Sequence, residues 1–132
     1  MHIADATADA LLGAEIKTAA LLGTKYTMQQ EFYKERLVKR GITVLIPDSN
    51  DIETVNRVIY EELCRGVISP SSRDEYVRII GGLKQRGAEA VILGCTEIGL
   101  LIDESCSPLP VFDTTVIHAE KAASYSISED IK

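Results

Sequence analysis

Four short apolar runs, each ended by a residue that breaks regular structure, constrain this chain more than any other feature. Lys17-Thr18-Ala19-Ala20-Leu21-Leu22 stops at Gly23, Ile42-Thr43-Val44-Leu45-Ile46 at Pro47, Ala90-Val91-Ile92-Leu93 at Gly94, and Pro110-Val111-Phe112 at Asp113. Runs this brief, apolar at successive positions, fit strands covered on both faces, as in a parallel sheet.

Helical periods separate them. Met28, Phe32, Tyr33 and Leu37 line one face of a helix that Thr27 and Gln30 open as a capping box. Ile52, Val55, Ile59 and Leu63 repeat the pattern after Asn50, with Glu53 three residues on. Tyr76, Ile79, Ile80 and Leu83 do so after Ser71-Ser72, where Ser72 and Glu75 make a further capping pair. Lys39-Arg40-Gly41 and Gln85-Arg86-Gly87 read as helix ends, with glycine at the left-handed position and basic residues against the negative pole. Strand–helix alternation with such joints predicts βαβ units. The expected fold is α/β: a single doubly wound, flavodoxin-like lobe with parallel strands near 17–22, 42–46, 90–94 and 110–113. In the order 2-1-3-4 the first and third strands are central, which sets Thr24 and Cys95 side by side. Residues 3–15 and 114–127 read as terminal helices able to dock on a missing or neighbouring lobe. Leu11, Leu12, Ile117 and Ala123 are expected to stay exposed there and to favour a homo-oligomer.

The chain has 132 residues, 14 Lys+Arg and 20 Asp+Glu, for a formal net charge of −6. An acidic surface of that kind argues against nucleic acid and anionic membranes as partners. No apolar run has the length of a membrane span or a signal peptide. Cys64, Cys95 and Cys106 are odd in number and form no CxxC pair, so a reduced, cytoplasmic chain is expected, without disulfide framework or zinc knuckle.

Ligands of parallel α/β sheets collect at the carboxyl ends of the strands. Three strand ends carry suitable residues: Gly23-Thr24-Lys25-Tyr26-Thr27, Gly94-Cys95-Thr96-Glu97 and Asp113-Thr114-Thr115. Hydroxyls and helix-start N–H groups suit a carboxylate; no dinucleotide fingerprint or P-loop is present. Cys95, between a buried strand and a helix, has a setting that favours its thiolate, the alternative being a small buried hydrophobe. Cys64 reads as packing on the Ile52–Leu63 helix and Cys106 as incidental in its loop. His118 lies one turn after Thr114 and can face the strand ends or solvent. Arg65 can partner a helix end, and Thr24 and Thr27 can be turn and cap residues or ligands. No cluster has metal-ligand spacing.

Ala90-Val91-Ile92-Leu93-Gly94-Cys95-Thr96-Glu97-Ile98 resembles the second-cysteine signature of the aspartate/glutamate racemases, and Gly23-Thr24-Lys25-Tyr26-Thr27-Met28 resembles their threonine loop. Ile59-Tyr60-Glu61-Glu62-Leu63-Cys64-Arg65-Gly66 and Phe112-Asp113-Thr114-Thr115-Val116-Ile117-His118-Ala119 are similar to further family segments, in the family's order. The resemblance implies a cofactor-independent isomerase of two pseudo-symmetric lobes, each giving one cysteine that removes or returns the α-proton. Carried over, Cys95 is one acid/base. Thr24, Thr27 and Thr96 hold the α-carboxylate, Arg65 meets the side-chain carboxylate of an acidic amino acid, and Glu97 and His118 support them. No metal or cofactor is implied.

The chain departs from the family at its start. His2-Ile3-Ala4-Asp5-Ala6-Thr7 resembles the interlobe helix, so the first lobe and its cysteine are expected to be missing and the chain alone inactive or severely impaired. Two other functions fit the same residues: a one-cysteine decarboxylase or isomerase of the same superfamily, and a non-catalytic fragment that dimerises or binds carboxylates.

Overall fold

The computed structural model describes residues 3–94, 97–114 and 117. Helix α1 (Ile3–Gly13) precedes β1 (Thr18–Leu22), followed by α2 (Lys25–Gln29), α3 (Glu31–Lys39), β2 (Thr43–Leu45) and α4 (Ser49–Glu61). A 3-10 turn (Leu63–Arg65), α5 (Pro70–Gln85), β3 (Ala90–Leu93), α6 (Ile98–Leu101) and β4 (Val111–Asp113) complete the order. The four strands form one parallel sheet in the order β2-β1-β3-β4, as the apolar runs and their breakers predict.

Side chains of the strands alternate between two separate cores. Ala20, Leu22, Val91 and Leu93 point to one face and pack with Ile52, Val55, Ile59, Tyr76, Ile80 and Ile98 from α4, α5 and α6. Ala19, Leu21, Ala90 and Ile92 point to the other, where Ala8 and Leu11 of α1 and Leu37 of α3 cover them. Continuous burial of β1 and β3 on both faces is the reason their sequences lack polar alternation. At the amino end of the sheet, Glu89 Oε1 accepts the N–H groups of Lys17 and Thr18, each at 3.1 Å. Gly41 and Gly87 have φ of +87° and +112°, the left-handed ends expected for α3 and α5.

Several local expectations are corrected. The predicted helix from Thr27 is two helices, separated at Gln30, whose φ of −73° and ψ of 121° are extended. Met28 and Leu37 therefore enter opposite cores instead of sharing a face. Asp48, not Asn50, caps α4: its Oδ1 accepts the N–H of Asp51 at 2.9 Å. Helix α5 starts before Ser72, because Pro70 at its first position has φ already fixed for helix. Helix α1 is folded onto its own lobe. Leu11 is fully buried and Ile117 9% exposed, so among the described residues expected to stay uncovered only Leu12, at 38%, does so. Ala123 lies outside the described residues, as does most of the predicted 114–127 helix. No described helix is long and apolar enough to cross a membrane.

Candidate functional site

β1 and β3 end level with each other. Leu22 pairs with Leu93, and the Gly94 N–H donates to the Leu22 carbonyl at 2.7 Å. Gly23 and Gly94 thus leave the sheet together, and the Thr27 methyl lies in the space between them. A Cβ on Gly23 would stand 3.2 Å from Thr27 Cγ2, and one on Gly94 3.3 Å from the same atom and 3.2 Å from the Leu22 carbonyl oxygen. The two glycines are the sequence's way of admitting a threonine side chain to this crevice.

The methyl contact fixes where the Thr27 hydroxyl can be. Its oxygen lies 3.1 Å from Thr24 Oγ1, and Thr24 Oγ1 also accepts the Thr27 N–H at 3.2 Å. Thr24 is therefore the cap of α2, and the pair is still incomplete as a hydrogen-bonding unit. Two hydroxyls carry two protons; their mutual bond uses one, and the other can be donated to an anion. α2 is fastened from the side by α4, where Asn56 Oδ1 accepts the Lys25 N–H at 2.8 Å and Glu53 pairs with the Lys25 ammonium. Asn56 and Glu53 are three apart and share a helix face, a spacing visible in the sequence. Their partner, about 30 residues upstream, was not.

Cys95, Thr96 and His118 lie outside the described residues. Gly94, the residue before Cys95, is in contact with the Thr27 methyl position, which brings the two strand-end motifs to one place. Glu97 is half-buried immediately before α6, whose Ile98 and Leu101 are buried. The carboxylate of Asp113 closes over this helix from β4: a Cβ on Gly99 would stand 2.7 Å from Asp113 Oδ2, so any larger residue there would move the carboxylate aside. Sequence reasoning singled out Asp113 as a strand end but missed this contact.

Thr114 does not offer a ligand hydroxyl. It is buried and donates to the Leu93 carbonyl at 2.9 Å, tying the ends of β3 and β4. Arg65 is exposed on the 3-10 turn, which Gly66 ends and which packs against α6. Cys64 on the same turn is exposed, correcting its reading as packing, because the helix stops at Glu61 and the turn rotates it outward. Cys106 is half-buried against the α4–α5 core.

Among the described residues, two groups with perturbed charge lie away from these strand ends. The Ser105 hydroxyl and N–H hold the Asp103 carboxyl below the usual range, and hydrogen bonds to Asp51 and Glu75 hold Arg78 above its own. Among the described residues no group of three His, Cys, Asp or Glu is placed to hold a metal ion.

Comparison with known proteins gives this arrangement its context. A crystal structure of an Asp/Glu racemase candidate from Yersinia pestis superposes with a TM-score of 0.91 at 54% identity, over 96% of this chain and 55% of that one. An aspartate racemase homologue from Pyrococcus horikoshii OT3 gives 0.89 at 36% identity, over 95% of this chain and again 55% of the other. The aspartate racemase of Picrophilus torridus gives 0.66 at 25% identity, over 86% and 47%. An uncharacterized protein of the pnlA 3′ region in Pectobacterium carotovorum subsp. carotovorum is 30% identical over 110 residues, 83% of this chain and 72% of that one. The chain thus spans about half the length of the matching structures, as one lobe of a two-lobe protein does. Residues 1–122 match the profile of the Asp/Glu/Hydantoin racemases, and the chain belongs to that family.

Proposed function

We propose that this chain supplies one acid/base of an acidic amino-acid racemase site, together with the hydroxyls that bind the substrate α-carboxylate. The observation that carries this reading is the Thr24–Thr27 hydroxyl pair, placed beside Gly94 at the carboxyl end of the two central strands, with one proton left to donate. Cys95, the next residue, transfers the Cα proton in this reading. Thr96 joins the carboxylate ligands, Arg65 pairs with the side-chain carboxylate, and Glu97 and His118 support the thiol. A charge-assisted bond from Arg65 selects aspartate or glutamate over neutral amino acids. A thiol suits the task because a helix start can tune its acidity towards ambient pH, and the carbanion is stabilised by neighbouring donors with no cofactor.

Racemisation removes a proton from one face of Cα and returns one to the other, so two acid/bases are needed. The second belongs, in this proposal, to a lobe outside these 132 residues, which the greater length of the matching structures supports. The test is incubation of each enantiomer of aspartate and glutamate in deuterated buffer, following Cα–H loss and optical purity. The isolated chain is expected to give no measurable racemisation, and slow exchange with retention that Cys95→Ala abolishes. Full racemisation by the chain alone would overturn the external second base and direct attention to Cys64, Cys106, His118 or a second copy. Exchange that survives Cys95→Ala would remove Cys95 from the mechanism.

A further inference from the structure

We propose that Ser72 and Arg73, adjacent on α5, are positioning residues that clamp the Arg65 turn and helix α6 to one support. What the two segments do rests on the functional reading above; the clamp itself rests on geometry. Ser72 is 5% exposed and its hydroxyl donates to Glu62 Oε1 at 2.7 Å. Glu62 governs the turn, since its carbonyl accepts the N–H groups of Arg65 at 3.0 Å and Val67 at 2.9 Å. Arg73 Nε–H donates to the carbonyl of Leu101, the last residue of α6, at 2.8 Å. Carbonyls at a helix end have no partner within the helix, and a guanidinium is well suited to one.

The support is rigid. Tyr76, one turn further along α5, is fully buried and its hydroxyl donates to the Val55 carbonyl of α4 at 2.7 Å. Leu63 of the turn and Ile98 and Leu101 of α6 also share the apolar core. Apolar contact is non-directional and lets one segment slide against another. Two hydrogen bonds from consecutive residues of one helix do not, so they set the spacing between Arg65 and the segment that follows Cys95.

The experiment is site-resolved amide hydrogen exchange on the full chain without ligand. Arg65 and Val67 report the turn; Leu100, bonded to the Glu97 carbonyl, and Ile102, bonded to that of Ile98, report α6. Arg73→Ala is expected to speed exchange at Leu100 and Ile102 about tenfold, the equivalent of one lost hydrogen bond to a charged group. It should also speed Arg65 and Val67 severalfold, and Ser72→Ala should give the mirror result. Ser72→Thr and Arg73→Lys, which keep a donor, should restore most of the protection. Effects confined to each residue's own segment, or no effect, would overturn the clamp, as would failure of both conservative variants to restore protection in a folded chain. L- and D-aspartate are then added to the unmodified chain. If neither slows exchange in either segment, the functional reading fails while the clamp, read without ligand, stands or falls on the first measurement.

Discussion

On one face of the sheet α4, α5 and α6 bury large side chains, among them Ile52, Ile59, Tyr76, Ile80 and Leu83, and close them with the Tyr76–Val55 hydrogen bond. On the other, the described residues bury a smaller set in which alanine is frequent, Ala8, Ala19 and Ala90 beside Leu11, Leu21 and Leu37. There α1 is joined across its exposed edge to α3 and its cap by ion pairs, Asp5 with Arg36 at 3.0 Å and Asp9 with Arg40, the residue that ends the helix. The broader core is also the one that takes Met28 of α2, the helix that holds Thr27, and Ile98 and Leu101 of α6, the helix that follows the β3 end. Rigidity is thus concentrated behind the chemistry, and the α1 side is the part expected to open first.

The comparison can be broken by mutation. Ile80→Ala should cost about 2–5 kcal/mol by the cavity it leaves, measured by urea denaturation, with opening of the whole sheet. Leu11→Ala should fall at the low end of that range, with faster amide exchange confined to α1. Equal losses and global opening in both variants would show that the faces are equivalent. Tyr76→Phe, which removes the hydroxyl that donates to Val55, should cost about 1 kcal/mol and leave the denaturant slope unchanged.

On the opposite face, Asp5→Asn and Asp9→Asn together should cost less than about 1 kcal/mol per pair, because these pairs are partly exposed. The difference from wild type should vanish near about 1 M salt, where screening is short-ranged. A salt-independent loss would mean that the pairs hold α1 by geometry. The smallest effect is expected at Asp103, in the loop between α6 and β4. Its pKa is lowered in the folded chain, first by the Ser105 hydroxyl and then by the Ser105 N–H. Its contribution to stability is therefore present above the unfolded pKa and lost as pH falls through the folded one. Ser105→Ala should raise its midpoint in an NMR titration; an unchanged midpoint would assign the effect to the backbone N–H.

Much of the site was legible because its parts are local. Thr24 and Thr27 stand directly after a buried run and a glycine, which marks a helix start at a strand end, although the cap expected at Thr27 is supplied by Thr24. The pairing of Gly23 with Gly94 was only implied, through the strand order. Thr114 looked like a ligand because it follows a strand, and the carbonyl of Leu93 that takes its hydroxyl is 21 residues away. Ser72 was read as a cap for the same reason, when its partner is Glu62 across the α4–α5 connection.

The sequence by itself determined the elements and their order: breakers bound the apolar runs, helical periods lie between them, and glycines after Arg40 and Arg86 end the helices. These are short-range effects of backbone sterics and side-chain period, decided within a few neighbouring residues. Only the tertiary structure decided that the chain breaks at Gln30 to send Met28 and Leu37 to opposite cores, and that α1 covers its own lobe. It also decided that one threonine methyl fills the crevice between two glycines from different strands. Those outcomes depend on which surfaces meet when the sheet closes, and that is set by the packing of segments distant in sequence, which no local pattern encodes.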